Sequence, residues 1–418
     1  MQPQCKLNVE RIKEKITTLA TIIDKERPLY TRRPFTEEYQ QSREWLKSEM
    51  ISAGLTVYVD AASNLIGERQ GSRPELPPIM IGSHTDSVVG GGRFDGIIGV
   101  LGGIEIARQL MEQDVTLEHT LLIVDFTAEE ASEFGISTIG SRGMVGNLTD
   151  EVLDRVNHTG LKLRKGIEQL DGRPEAINEE KKTAGDIRLY LELHIEQGPV
   201  LEQTNHELGI VTGIVGIRRF QVVCKGIANH AGTTPMNMRT DALTSASEVV
   251  LSIEDAANQS YTSQIVGTVG RLFVEPNASN VVPGHVTFDF ELRSLQPDVL
   301  DEATRNIEQS IASISSKRNI EICMIPISVS DSIVIQDNII EGIEESCNKV
   351  GSSIKLPSGA GHDANQIASI APVGMIFVPS QNGISHSADE WTDYELVAKG
   401  VQALWNSLHY FDGCFDKI

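Results

Sequence analysis

Histidines and carboxylates recur in this chain at the edges of short apolar runs. His84 and Asp86 stand in GSHTDS, Asp95 in GGRFDG, Glu129 and Glu130 in FTAEEAS, His194 in ELHIEQG and His386 in GISHSADE. Three imidazoles with carboxylates form a nitrogen and oxygen donor set for divalent cations, and one carboxylate can bridge two of them. Asp95 is the candidate bridge. Gly92 and Gly96 let the backbone approach closely there, and a carboxylate at a helix start is favoured by the dipole. Adjacent Glu129 and Glu130 can divide the labour, one ligating metal and the other accepting a proton from activated water. Asp86, two residues after His84, is placed to orient that imidazole. Singly, each of these is more often a solvated polar group. Their joint placement carries the argument.

Rival chemistries lack their motifs. Gly90-Gly91-Gly92 suggests a phosphate cradle, but no G-x-G-x-x-G or Walker pattern follows. Gly135-Ile136-Ser137-Thr138-Ile139 fails the nucleophile-elbow pattern at its last position. Cys224 lies within a strand pattern and reads as core rather than nucleophile.

These residues need elements that bring them together. Ile79-Met80-Ile81 follows a proline pair and reads as a buried strand, Ile97–Met111 has helical apolar spacing, and Leu121–Val124 is a second buried strand. Strand, helix and strand within about 45 residues make a βαβ unit, which implies a parallel sheet with helices on its faces. Leu189–Leu193 and Val373–Val378 read as further strands of this kind. Open parallel sheets build sites at their carboxyl ends, so ligands spread over about 300 positions can converge.

The middle of the chain has another rhythm. Strand patterns cover Gly209–Lys225, Gln264–Val274, His285–Arg293 and Asn319–Pro326, with helices over Asp241–Ala257 and Pro297–Ser315. This β-α-β-β-α-β order matches the ferredoxin-like unit. The expected architecture is α/β: a catalytic domain over 1–212 and 331–418 with a mainly parallel sheet flanked by helices. An α+β ferredoxin-like lid over 213–330 interrupts it.

The chain has 418 residues, 36 Lys and Arg against 58 Asp and Glu, and a net charge of −22. That balance argues against nucleic acid or an anionic membrane as partner, since phosphate contacts need clustered cations. The charged N-terminal stretch lacks a signal-peptide pattern, and no apolar run approaches the roughly 18 residues of a spanning helix. Five scattered cysteines with no CxxC pair fit a reducing, cytoplasmic setting.

Together GSHTDS, GGRFDG, TAEE, ELHIEQG, NHAGTTPM, SNVVPG, SGAGHD and GISHS resemble the M20-type metal-dependent amidases. The closest branch holds the N-carbamoyl-L-amino-acid hydrolases, beside allantoate amidohydrolase, ureidoglycolate amidohydrolase and β-ureidopropionase. The resemblance implies two divalent ions per subunit, Zn or Mn, with Co or Ni as further options. It implies His84, Asp95 and His386 around one ion and Asp95, Glu130 and His194 around the other. Glu129 would be the general base. Substrate contacts would come from Gln197, His230, Asn280 and Arg293, while Gly361 and His362 would line the site and stabilise the tetrahedral intermediate.

An Arg guanidinium suits the carboxylate of an N-carbamoyl acid, whose ureido carbonyl needs polarisation because nitrogen lone pairs flank it. The resemblance also implies a homodimer formed through the lid, with His230 serving its own or the neighbouring subunit's site. The expected activity is hydrolysis of the linear C–N bond of a small ureido acid, first an N-carbamoyl-L-amino acid, releasing ammonia and carbon dioxide. Glu133 stands where relatives commonly have Arg, the Gly135–Ser141 stretch is closer to the ureidoglycolate branch, and Ala388 stands where Pro is frequent. Allantoate or ureidoglycolate hydrolysis, an M20 peptidase or acylamino-acid hydrolase, and a catalytically silent binding protein remain the alternatives.

Overall fold

The apolar runs Ile79–Ile81, Leu121–Val124, Leu189–Leu193 and Val373–Val378 form strands buried along their whole length. The computed structural model describes residues 7–27, 29–258 and 265–413. Its strands, in chain order, begin with β1 (Thr56–Val59), β2 (Leu65–Arg69), β3 (Ile79–His84), β4 (Leu121–Phe126), β5 (Leu189–Ile195) and β6 (Leu208–Ile214). The middle supplies β7 (Gly216–Lys225), β8 (Asn229–His230), β9 (Ile265–Glu275), β10 (Val281–Val282), β11 (His285–Ser294), β12 (Glu321–Ser330) and β13 (Ile333–Val334). β14 (Ser353–Ser358) and β15 (Val373–Val378) complete the set.

The chain divides into two compact units. The first holds residues up to Thr212 together with Ile335–Ser358 and the chain from His362 onward. Its sheet runs β1-β2-β4-β3-β5-β15-β6, with β14 also on β6. β4, β3, β5 and β15 are parallel to one another, and antiparallel strands flank them. Every residue of those four central strands is buried. Helix Ile97–Glu112 follows β3 and is itself mostly buried. Continuous apolar runs are what a sheet covered on both faces requires.

The second unit, Gly213–Val334 with Gly359–Gly361, has a four-stranded sheet in the order β12-β7-β11-β9, antiparallel throughout. β11 alternates between half-buried and buried residues along its length. Its buried side meets helices Ala242–Asn258 and Pro297–Arg318 through Phe288, Phe290, Val249, Ile253, Ile307 and Ile311. One face packed and one face open is the usual antiparallel pattern.

Two expectations need correction. The strand pattern over Gly209–Lys225 is two strands, because the chain leaves one sheet at Ile214 and enters the other at Gly216. β6 is nearly continuously buried and β7 is not, a change in environment that apolar spacing does not mark. Helix Pro297–Arg318 also runs a turn further than its pattern and ends on Asn319 in a left-handed cap, so β12 starts at Glu321. Gln264, the expected start of β9, lies outside the described residues.

Candidate metal centre

β3 and β5 are parallel neighbours, and each ends in or beside a histidine. Their imidazoles, His84 and His194, are buried with ring centres 6.0 Å apart. Nδ1 of His84 donates to the carbonyl of Asp86 at 3.1 Å, and Nδ1 of His194 donates to the carbonyl of Ile195 at 2.9 Å. Both hydrogen bonds leave Nε2 as the free ring nitrogen, which fixes the tautomer a metal ligand needs.

Asp95 reaches this point from the turn before helix Ile97–Glu112. Gly96 has φ of +68°, and a Cβ there would lie 2.3 Å from Nε2 of His84, so both backbone conformation and space demand glycine. Asp95 Oδ1 lies 3.1 Å from Nε2 of His194, and Oδ2 lies 3.2 Å from Nε2 of His386. His386 Nε2 is also 3.3 Å from Glu130 Oε1.

Donor atoms therefore gather in two groups that share Asp95, beside a third made of Glu192, His194 and His362. Of the two that share Asp95, one is His84, Asp95 and His194, the other Asp95, Glu130 and His386, each with donors within 4.8 Å of one another. All five expected ligands converge, but their partition differs from the expected one. His84 belongs with His194 because β3 and β5 are adjacent strands, while His386 arrives on the loop after β15 and meets Glu130. The chemistry of the donors fits divalent cations. Nε2 of His194, in a ring that is 1% exposed, faces Asp95 without forming a directed hydrogen bond.

Both glutamates sit on a loop held from below. Asp86 accepts backbone hydrogen bonds from Glu129 through Oδ1 and from Glu130 through Oδ2, both 3.1 Å. It thus orients the glutamate pair as well as lying beside the His84 ring. Ala128, just before the pair, has φ of +55°, an uncommon conformation for a residue with a Cβ. Phe134 pins the far end of the loop, edge-on to Phe35. Underneath, buried Arg43 donates to Asp125 and Thr127, and Asp125 accepts from Thr85.

The electrostatics are those of a cation site. Burial pushes the Glu129 carboxyl well above its usual range, with His84 opposing and the charges of Asp363, Glu130 and Asp86 adding. Burial and the Asp95 charge lift Glu130 to about 7. His386 rises to about 9, chiefly through its contact with Asp95. Asp95 is buried yet held well below its usual value by the imidazoles of His194 and His386. Glu129 Oε2 stands 3.7 Å from Nε2 of His84, beside the donors and in neither group.

The remaining expected residues fall in several places. Gln197 Nε2 donates to Asp95 Oδ2 at 3.0 Å and to Ser385 Oγ at 3.2 Å. His362 is buried edge-on to His194, with ring centres 4.6 Å apart, and Nε2 is 2.7 Å from Ser358 Oγ. Burial and then the His194 charge hold its pKa well below normal. In the second unit, His230 and Asn280 come together on a two-stranded ribbon, β8 against β10, where Ala231 N donates to the Asn280 carbonyl. Arg293 pairs with Glu291 at 2.8 Å, and its Nη1 donates to the carbonyl of Gly359, two residues before Gly361.

Sequence reasoning missed several buried carboxylates around the ligands, among them Asp125, Asp363, Glu192 and Glu390. Glu192 accepts from Ser83 Oγ and Tyr190 OH in the floor beside His194. Glu390 accepts from the backbone N–H groups of Phe94 and Asp95 at 2.9 and 3.1 Å. Glu192 follows apolar residues inside a strand, a signal for burial only, and Glu390 lies almost 300 positions from its partners.

Residues 80–409 match the peptidase family M20/M25/M40. The chain belongs to this family. It is accordingly a hydrolase. This M20-family chain is 37% identical over 400 residues to the N-carbamoyl-L-amino acid amidohydrolase of Geobacillus stearothermophilus, covering 96% of this chain and 97% of that protein. It is 39% identical over 370 residues to the N-carbamoyl-L-amino-acid amidohydrolase of Pseudomonas sp. strain NS671, covering 87% and 88%. Its fold is similar to that of an amidase of the hydantoinase/carbamoylase family from Burkholderia multivorans. The TM-score is 0.88 at 30% identity, covering 97% of this chain and 98% of that one.

Proposed function

We propose that this M20-family hydrolase cleaves the linear C–N bond of an N-carbamoyl (ureido) acid, with an N-carbamoyl-L-amino acid as first choice. One observation carries the reading: two donor groups share Asp95, and the separate carboxylate of Glu129 stands beside them. The names of relatives at 37% and 39% identity support the substrate class. In the reaction, water adds to the ureido carbonyl and one C–N bond breaks to give the amino acid and carbamic acid, whose remaining C–N bond then breaks to give carbon dioxide and ammonia.

His84, Asp95 and His194 would hold one divalent ion, and Asp95, Glu130 and His386 a second. Zn, Mn, Co or Ni each suit such donors. When bound, these ions polarise the ureido carbonyl and acidify the attacking water. Glu129 takes the proton from that water and passes it to the departing nitrogen. Its carboxylate, beside the donors but in neither of the groups that share Asp95, is placed to accept first and then donate. Asp86 keeps Glu129 aimed by holding its backbone N–H. His362 and Gly361 would stabilise the developing oxyanion.

The second unit acts as a lid that brings the substrate-contacting side chains. Arg293 clamps the substrate carboxylate, with Glu291 fixing the plane of its guanidinium. His230 and Asn280, side by side on their ribbon, contact the ureido group, and Gln197 contributes from the metal side. The lid also carries the homodimer contact. Its edge strands support this, since Ile325, Ile327 and Val329 on β12 and Phe273 on β9 are exposed. The small-molecule substrate and the −22 charge leave no role for nucleic acid. No described helix is long and apolar enough to cross a membrane. A reducing, cytoplasmic setting suits Cys224, Cys323 and Cys347, which are free; Cys5 and Cys414 lie outside the described residues.

Ammonia release is the deciding assay. With Mn or Zn supplied, carbamoyl-L-amino acids should react fastest in a panel with allantoate, ureidoglycolate, carbamoyl-β-alanine and a dipeptide. Preference for ureidoglycolate is the second reading, favoured by the Gly135–Ser141 stretch. Dipeptide cleavage without ammonia from any ureido acid would overturn both.

A further inference from the structure

Glu390 belongs to neither donor group, yet it is 2% exposed and fully engaged. Oε1 accepts from the N–H groups of Phe94 and Asp95, and Oε2 accepts from Ser385 Oγ at 2.8 Å. Ser385 Oγ in turn accepts from Gln197 Nε2, which also donates to Asp95 Oδ2. The contacts close a ring through Asp95, Gln197, Ser385 and Glu390. Asp95 is gripped at its backbone by one member and at its carboxylate by another. Ser385 directly precedes His386, so the ring also ties two of the three loops that supply the second donor group, those of Asp95 and His386.

The surroundings are built to fit the Glu390 carboxylate. A Cβ at Gly92 would lie 2.0 Å from its Oε1, so the loop before Asp95 closes on it only with glycine there. Next to it, the Trp391 ring packs edge-on against Phe94 at 5.4 Å between centres. Residues far apart in sequence are thus joined by two backbone hydrogen bonds, a ring contact and a side-chain bridge.

We infer that Glu390 is a positioning residue for the metal centre, acting through this ring to hold Asp95 and His386 at the spacing that two cations need. The inference rests on the reading of Asp95 and His386 as ligands under the proposed function. Groups that brace metal ligands commonly contribute about 10- to 100-fold to metal affinity.

The test is calorimetric titration of chelator-treated protein with Mn²⁺, read as affinity. Glu390→Gln keeps the volume but not both acceptor oxygens, and should weaken binding about 10- to 100-fold. Ser385→Ala should weaken it in the same direction, while Ser385→Thr, which keeps the hydroxyl, should restore wild-type affinity. In the double variant Ser385→Ala/Glu390→Gln the losses should not multiply, because a ring opened once is already open. Wild-type affinity in Glu390→Gln, or losses that multiply, would overturn the inference. If Glu390→Gln fails to fold, the Ala and Thr variants at Ser385 decide it alone: equal affinities would sink it. A wild-type protein that binds Mn²⁺ but releases no ammonia would defeat the substrate reading and leave this one standing. Ammonia release with unchanged affinity in Glu390→Gln would do the reverse.

Discussion

The two units hold their polar residues by opposite means. In the first, His84, Asp95, Glu130 and His194 are buried, and each is fixed by hydrogen bonds or by a neighbouring ligand. In the second, His230 and Asn280 lie exposed on a two-residue ribbon, and Arg293 is half-buried at the end of an alternating strand. Burial in low dielectric makes the first set costly unless a cation completes it. In the second set His230 and Asn280 are solvated, and Arg293 is already paired with Glu291. The difference suits the proposed division between preorganised metal chemistry and adaptable substrate capture.

The strongest way to break this contrast is to remove the shared ligand. Asp95→Ala should empty both donor groups, with metal content near zero by elemental analysis and turnover at background. Retention of one full equivalent of metal would show that the groups do not depend on a common carboxylate. Next comes Glu129→Gln. Loss of a positioned general base costs about 10²–10⁴-fold in turnover, and metal content should stay at the wild-type value because Glu129 is in neither group. Turnover within a few fold of wild type would remove it as the base.

A smaller, different effect is expected in the second unit. Arg293→Lys keeps the charge but loses the planar fork, so KM should rise about tenfold, the equivalent of one hydrogen bond of about 1.4 kcal/mol. Metal affinity and kcat should change little. An unchanged KM would mean that the substrate carboxylate is held elsewhere. If metal affinity fell as well, the separation between the two regions would fail.

The sequence showed the parts of the first unit whose signal is local. Apolar runs such as Leu121–Val124 and Val373–Val378 mark strands because both faces are covered, and the histidines past such runs mark their ends. Partition of the ligands was not readable, because strand order places β3 beside β5 and no local spacing reports that order. Left-handed backbone at Ala128, Gln197 and His386 was equally hidden, since none is glycine. Glu390 illustrates the same limit: its partners at Phe94 and Asp95 are set by the fold. In the second unit the β-α-β-β-α-β order was legible. Where β6 ends and β7 begins was not, because apolar residues continue across the junction.

The least effect on chemistry, and the sharpest on assembly, is expected at the edge of the second unit's sheet. β12 is an outer strand in the order β12-β7-β11-β9, and Val329 on it is 59% exposed. Unpaired backbone groups beside exposed apolar side chains invite another strand to dock. A second copy of the chain is the occupant proposed above. Val329→Glu would place a carboxylate at that contact twice in a symmetric dimer, so like charges would face each other across it. Light scattering should then show wild type at twice the chain mass and the variant at the chain mass, with metal content unchanged. Val329 is absent from the apolar cluster beneath the sheet, so its replacement should leave the unit folded. A variant that stays dimeric would place the contact on another surface, and a monomeric wild type would remove the dimer altogether.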